Sequence, residues 1–263
     1  MMLIRVLTGI IGAPIAVAII YKGGLLLYII GGILVLIGAY EYYKVVGVVY
    51  NPIKSVAMLS IVVYLLGLNY FENRYISFIS IFLVILLIIK VLTYPKYTLA
   101  DIGVTLTGVI YIGEIFSLVL LIRNMPNGFF WVCLIFVSAW GSDTSAYFAG
   151  RALGKHKLAP VLSPKKTLEG AIGGVIGAGI MDAIFCGVMH YLGYWTFSLG
   201  WTVLIGCICA VLSQLGDLAA SSIKREMGIK DFGSLFPGHG GVLDRFDSIL
   251  LIVPFVYTIV SAL

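Results

Sequence analysis

Long apolar stretches, separated by short polar segments, follow one another along the whole chain. Each is close to the roughly 20 residues that an α-helix needs to cross about 30 Å of hydrocarbon. The sustained alternation of apolar and polar residues that is typical of membrane β-barrel strands is missing from the sequence. We therefore predict an all-α polytopic integral membrane protein with nine transmembrane helices, at residues 5–21, 24–41, 55–69, 75–92, 98–122, 128–149, 167–190, 198–220 and 248–263.

Composition supports the membrane prediction. Hydrophobic residues make up 61% of the 263 residues and charged residues 11%, whereas a soluble domain carries about 25% charged residues. This excludes a water-soluble globule and a disordered chain. The four cysteines, Cys133, Cys186, Cys207 and Cys209, lie inside apolar runs, which argues against a secreted disulfide scaffold.

The distribution of charge predicts the orientation in the membrane. The net charge of +5 comes from 17 basic and 12 acidic residues. In a soluble protein this excess would suggest nucleic acid, but in a membrane protein it reflects basic residues kept on the cytoplasmic side. If the N-terminus is cytoplasmic, the only basic residues on the outer side of the membrane are Lys22, Arg74 and Arg123. We expect the lipid bilayer as partner, no nucleic acid, and a location in the cytoplasmic (inner) membrane.

Charge is also uneven along the chain. Residues 1–139 form a hydrophobic scaffold, and residues 140–263 carry most of the charged groups, within one transmembrane domain. Charged residues are costly in a membrane protein and therefore usually functional. Two loops contain most of these groups, residues 151–166 and 221–247, and both lie on the predicted cytoplasmic face because two spans separate them.

Three carboxylates flank the last loop. Asp244 and Asp247 are three residues apart at the start of the ninth span, so a helix would place them on one side, and Asp217 lies near the end of the eighth span. Oxygen ligands without a His or Cys cluster favour Mg²⁺, which usually brings substrate phosphates with it. Each aspartate alone could equally be a helix cap or an ion-pair partner of Arg245.

The loop itself offers groups for phosphates. Glycines at 238, 240 and 241 allow backbone N–H groups to surround phosphate oxygens, and Lys224, Arg225 and Lys230 supply positive charge. The same features also suit a tight turn and membrane anchoring. His239 is either an acid or base, or a residue of that turn.

The earlier loop has a comparable set. Asp143 belongs to a polar cluster, residues 141–145, that should face the bundle interior. Ser163, Lys165 and Lys166 precede a helix N-terminus, an arrangement that favours an anion. In the alternative account Thr167 caps the helix and the lysines anchor it at the headgroups.

These residues resemble a known signature. The stretch 221–247 is similar to the motif of the phosphatidate cytidylyltransferase (CDP-diacylglycerol synthase) family at Ser221, Lys224, Arg225, Lys230, Asp231, Gly233, Pro237, His239, Gly240, Gly241, Asp244, Arg245 and Asp247. Segments 142–151 and 163–170 also resemble this family, whereas the first 130 residues match only as generic spans.

The resemblance implies transfer of CMP from CTP to phosphatidic acid, which gives CDP-diacylglycerol and pyrophosphate. It implies Mg²⁺ held by Asp217 and Asp244, and a second cation near Asp247 or Asp143. The catalytic set is then Asp217, Asp244, Asp247, Lys224 and Arg225. The substrate-binding set is Asp143, Ser163, Lys165, Lys166, Lys230, Asp231, His239, Gly240, Gly241 and Arg245. A homodimer is expected.

Two alternative functions fit the sequence less well. A transporter or channel would spread polar residues through several spans to the far side, whereas here they gather towards one face. A CDP-alcohol phosphotransferase would need a D-G-x-x-A-R motif, which the sequence lacks.

Overall fold

The computed structural model describes residues 12, 14–195, 197–235 and 240–263. Residues 14–22 are helical. The elements that follow are α1 (Gly24–Val46), α2 (Lys54–Leu66), α3 (Leu68–Phe71), α4 (Tyr75–Leu92), α5 (Leu99–Gly108), a π-helix (Val109–Glu114), α6 (Ile115–Asn124), α7 (Gly128–Leu153), β1 (Lys157–Ala159), β2 (Ser163–Thr167), α8 (Leu168–Tyr191), α9 (Leu199–Glu226), α10 (Leu243–Leu250) and α11 (Ile252–Ala262).

The described helices confirm a helical multi-pass membrane protein. Six helical stretches are long and apolar enough to cross a bilayer: α1, α4, α7, α8, α9 and the continuous stretch Leu99–Asn124 made of α5, the π-helix and α6. Helices α10 and α11 together would form a seventh, although the chain bends by 48° between them.

The count of nine spans stays a prediction. The first predicted span, 5–21, is described only at residues 12 and 14–21, which are helical. The third corresponds to α2, whose 13 residues are short for a crossing. The ninth corresponds to the bent pair α10 and α11.

Three helices run further than we predicted at their charged ends. Helix α1 extends to Val46, α7 to Leu153 and α9 to Glu226, past the predicted ends at 41, 149 and 220. Hydropathy falls where charge begins, but the backbone hydrogen bonds of a helix continue beyond the hydrocarbon. These extensions carry Arg151, Lys224 and Arg225 on helix rather than on loop.

A small two-stranded sheet, which was not predicted from the sequence, follows α7. Strands β1 and β2 pair antiparallel, with Lys157 opposite Thr167 and Ala159 opposite Ser163, around a turn at 160–162. Lys165 and Lys166 therefore lie on a strand that leads into α8, and they do not belong to the helix N-terminus itself.

The chain forms two compact units. Unit 1 comprises residues 1–121 and 226–245, and unit 2 comprises residues 122–225 and 246–263. The prediction of a single transmembrane domain stays a prediction.

Unit 1 packs α1 and α2 against α5 and the π-helix. The Tyr43 hydroxyl, in α1, donates to the carbonyl of Thr105, in α5, over 2.7 Å. A Cβ on Gly108 would lie 2.5 Å from that hydroxyl oxygen, so only glycine permits this approach.

Elsewhere in unit 1, the Tyr50 hydroxyl donates to Glu226 over 2.9 Å, and this bond raises the pKa of Tyr50.

Unit 2 is built around the long contact between α7 and α8. The small residues of α8 allow the close approach of α7: a Cβ on Gly174 would lie 3.0 Å from the carbonyl oxygen of Ser142. Ser138, in α7, donates to Asp182 Oδ2, in α8, over 3.0 Å, and this hydrogen bond joins the two helices.

Candidate active site

A cavity of about 380 Å³ opens in unit 2 beside the β-hairpin. This volume is within the range of small-molecule sites, which is about 300–1,000 Å³. The end of α7, strand β2, the start of α8 and the second half of α9 form its walls. The side chains with polar or charged groups that line it are Asp143, Tyr147, Arg151, Lys165, Lys166, Thr167, Gln214 and Asp217.

Four residues predicted for the site from two separate regions of the sequence meet in this cavity: Asp143, Lys165, Lys166 and Asp217. The Lys166 ammonium nitrogen lies 2.5 Å from Asp217 Oδ2, and the Ser221 hydroxyl donates to Asp217 Oδ1 over 3.4 Å. Both members of the ion pair are partly exposed. The cavity thus offers cationic groups to phosphates and carboxylates to a hard cation.

Ser163, which is also predicted for the site, lies at the start of β2 and is not among the described residues that line the cavity. Thr167 is the N-cap of α8, and its hydroxyl accepts the Gly170 N–H over 3.1 Å. The capping role left open by the sequence is therefore confirmed. Lys165 and Lys166, instead of acting only as anchors, line the cavity.

Glu169 organises the segment between α7 and β1. Its carboxylate accepts the backbone N–H groups of Lys155, over 3.0 Å, and His156, over 3.2 Å. It also lies 2.6 Å from the His156 Nδ1 atom. The conformation of the chain that enters the hairpin therefore depends on a side chain at the beginning of α8.

Three polar or charged residues of the cavity were not predicted for the site from the sequence: Tyr147, Arg151 and Gln214. Tyr147 and Arg151 follow Asp143 by four and eight positions on α7, so all three share one side of the helix. That spacing is a signal that the sequence contains. Gln214 gives no such signal, although its side chain joins three helices by donating to Ser142 Oγ over 3.1 Å and to the Ala171 carbonyl over 3.0 Å.

Lys224 and Asp247 form a second ion pair within unit 2. Lys224 Nζ lies 3.5 Å from Asp247 Oδ2, and the two side chains are only 10% and 11% exposed. Asp247 Oδ1 also accepts the N–H of Ser248 over 2.8 Å. Lys224 therefore neutralises a carboxylate of its own chain, and Arg225 beside it is exposed.

In unit 1, Asp244 binds the backbone of the preceding loop. Its Oδ2 accepts the N–H groups of Phe232 over 2.8 Å, Gly233 over 3.4 Å and Gly241 over 3.0 Å. Of the glycines at 238, 240 and 241, whose N–H groups are predicted to bind phosphate, Gly241 instead donates to this carboxylate. Gly240 has a positive φ of 82°, which favours glycine.

The same loop meets a second carboxylate, which the sequence analysis overlooked. Glu41, in α1, is 6% exposed and accepts the N–H groups of Val242 over 3.1 Å and Leu243 over 2.9 Å. A buried N–H group without an acceptor costs about 1–3 kcal/mol. A lone acidic residue in an apolar helix was the available signal.

The other predicted residues of this loop are more exposed. Lys230, Asp231 and Arg245 have exposed side chains in unit 1. His239 lies outside the described residues, as does Pro237.

The donor set is compatible with a hard cation. Asp143 and Asp217 line one cavity and offer carboxylate oxygens, the ligands that Mg²⁺ prefers. Among residues 12, 14–195, 197–235 and 240–263, no three His, Cys, Asp or Glu side chains are grouped as a metal site. Further ligands would have to come from substrate phosphates or water, as is usual for Mg²⁺.

Comparison with known proteins identifies the family. Residues 3–263 match the model of the cytidylyltransferase family. Phosphatidate cytidylyltransferase of Bacillus subtilis is 34% identical over 98% of this chain and 97% of its own. The proteins of the same name from Staphylococcus aureus strain COL and Staphylococcus saprophyticus are 34% and 32% identical, each over 96% of both chains. The chain therefore belongs to the cytidylyltransferase family.

Proposed function

We propose that this protein is a CTP:phosphatidate cytidylyltransferase, which transfers CMP from CTP to phosphatidic acid to give CDP-diacylglycerol and pyrophosphate. The observation that carries the proposal is the cavity of unit 2, where Lys165, Lys166 and Arg151 lie with Asp143 and Asp217. The relatives that align with nearly the whole chain are named phosphatidate cytidylyltransferase, a name that specifies phosphatidate and a transferred cytidylyl group. Neither comparison favours the transporter alternative.

In the proposed reaction, a phosphate oxygen of phosphatidic acid attacks the α-phosphorus of CTP in line. The new P–O bond forms as the bond from the α-phosphorus to its bridging oxygen breaks, and pyrophosphate leaves with that electron pair. The attacking phosphate is already ionised at neutral pH, so the step needs no general base. Lys165, Lys166 and Arg151 would bind phosphate oxygens and stabilise the charge that develops on the leaving group.

Asp217 and Asp143 would hold Mg²⁺ in the cavity, where the ion would supply positive charge to the phosphates. The family resemblance also assigns Asp244 and Asp247 to the metal ligands and to the catalytic set, and both assignments stay predictions. Their hydrogen bonds to backbone N–H groups, and the contact of Asp247 with Lys224, tie these two carboxylates to the chain. A second cation, with Asp247 as a ligand, stays a prediction.

The proposed location is the cytoplasmic membrane, with nine spans, a cytoplasmic N-terminus and the site at the cytoplasmic surface. There a soluble nucleotide can meet a lipid substrate. The nine lysines and arginines in 151–166 and 221–247 support this orientation. The homodimer likewise stays a prediction.

The test is transfer of label from α-³²P-CTP into lipid by the purified protein in detergent with phosphatidic acid, with and without Mg²⁺. We expect Mg²⁺-dependent labelled lipid from the wild type and a loss of about 10²-fold or more in Asp217→Asn. Glu72→Gln, a carboxylate on the turn between α3 and α4, is the control and should retain activity. Absence of labelled lipid from folded wild type would refute the proposal.

A further inference from the structure

Glu41 joins two segments that are far apart in the sequence. It is the acidic residue of α1, and its carboxylate is buried in unit 1. Oε1 accepts the N–H of Val242 over 3.1 Å, and Oε2 accepts the N–H of Leu243 over 2.9 Å. Both residues are completely buried, so water does not replace these acceptors.

The adjoining amide is bonded to Asp244. Gly241 donates to Asp244 Oδ2 over 3.0 Å, so three consecutive N–H groups, at 241, 242 and 243, are divided between two carboxylates. Asp244 follows Leu243 directly and lies in the first turn of α10. The backbone that carries Asp244 is therefore held by Glu41.

The glycines of the loop are consistent with this arrangement. A Cβ on Gly233 or on Gly241 would lie against the carboxylate of Glu41, closer than a side chain permits. The backbone of the loop therefore lies directly against the Glu41 carboxylate at both glycines. A carboxylate at the start of a helix is also favoured by the partial positive charge of its free N–H groups.

We propose that Glu41 is a positioning residue for Asp244. It fixes the turn 241–243, and through this turn it sets the place and direction of the Asp244 carboxylate; it does not itself contact substrate. The inference rests on the proposed function, in which Asp244 belongs to the catalytic set.

The test compares Glu41→Gln with Glu114→Gln in the full-length protein. Glutamine is nearly isosteric with glutamate but offers one oxygen and one NH₂ group, so one of the N–H groups of 242 and 243 loses its acceptor. Glu114 is a carboxylic acid in the π-helix of the same unit and serves as the matched control. The readouts are kcat, the KM for CTP, the melting temperature in detergent, and hydrogen–deuterium exchange of peptides from 240–250.

We expect kcat of Glu41→Gln to fall about 10- to 100-fold, the usual effect of losing a group that orients a functional residue, with little change in the KM for CTP. Amide exchange should become faster at 241–243 and stay unchanged in the later turns of α10. Glu114→Gln should match the wild type in kcat and in exchange over 240–250. In Asp244→Asn, adding Glu41→Gln should lower kcat no further.

Unchanged kcat per folded molecule in Glu41→Gln would overturn the proposal, even if the melting temperature fell. So would a fall in kcat with unaltered exchange at 241–243, or an additional loss in the double variant. If the wild type itself transferred no cytidylyl group, the proposed function would fail, and with it the role of Asp244. Exchange at 241–243 would still report whether Glu41 holds the turn.

Discussion

The ammonium group of Lys166 lies 2.5 Å from Oδ2 of Asp217, and both residues line the cavity of unit 2. Lys166 is on β2 and Asp217 on α9, so the hairpin and the helix meet at this ion pair. Because both side chains are partly exposed, the pair itself adds little stability. The ion pair instead positions an ammonium group and a carboxylate in the cavity where phosphates are proposed to bind.

Removal of the Lys166 charge should therefore weaken substrate binding more than stability. We expect Lys166→Met to raise the KM for CTP about tenfold or more, since a charge-assisted hydrogen bond to phosphate is worth about 1.5–3 kcal/mol. Steady-state kinetics with labelled CTP measures the effect. Lys157→Met, on β1 of the same hairpin, is the control, and equal changes in the two variants would contradict a specific role.

Gln214 should be important for the shape of the cavity. Gln214→Leu removes the hydrogen bonds to Ser142 Oγ and to the Ala171 carbonyl, so α7, α8 and α9 lose a common link. We expect a loss of about 1–3 kcal/mol in stability and a lower kcat/KM, measured by thermal unfolding in detergent and by the transfer assay. The neighbouring Leu215, 50% exposed, provides the control: Leu215→Ala should change neither quantity appreciably.

Two glycines of α8 should respond differently to the same substitution. A Cβ on Gly170 would lie 2.9 Å from the carbonyl oxygen of Ala146, in α7, whereas a Cβ on Gly187 meets nothing within 4 Å. Gly170→Ala should cost about 1–3 kcal/mol, because the helices must move apart beside the cavity. Gly187→Ala should be neutral or stabilising by up to about 1 kcal/mol. Comparable melting temperatures for both variants would argue against the close approach.

The ion pair of Lys224 and Asp247 lends itself to a double-mutant cycle. Each side chain is about nine-tenths buried, so loss of one charge leaves the other in a poorly solvated place. Lys224→Met and Asp247→Asn should each lower the melting temperature, and the double variant should lose less than both effects combined. A coupling energy of about 0.5–3 kcal/mol is expected.

Thermal unfolding in detergent gives the four stabilities of this cycle. Lys230→Met, which removes an exposed cation, should leave the melting temperature unchanged and serves as the reference. Strict additivity of Lys224→Met and Asp247→Asn would mean that the two groups do not interact.

The local sequence accounts for much of the fold and for part of the site. The apolar runs predict α1, α4, α7, α8 and α9, because burial in lipid depends on the hydropathy of each segment alone. The spacing of acids, bases and glycines in 221–247 was sufficient to indicate the family that the comparisons confirm. Asp143, Lys165, Lys166 and Asp217, chosen from the sequence, share one cavity.

Other features depend on residues that meet only after folding. The hairpin of β1 and β2, the link of Gln214 to two other helices and the bonds of Glu41 to Val242 and Leu243 join segments that carry no local signal for each other. The sequence by itself determined the membrane class, most helices and the family. Only the tertiary structure decided which carboxylate accepts which backbone N–H group, since that choice depends on helix packing and hydropathy describes one segment at a time.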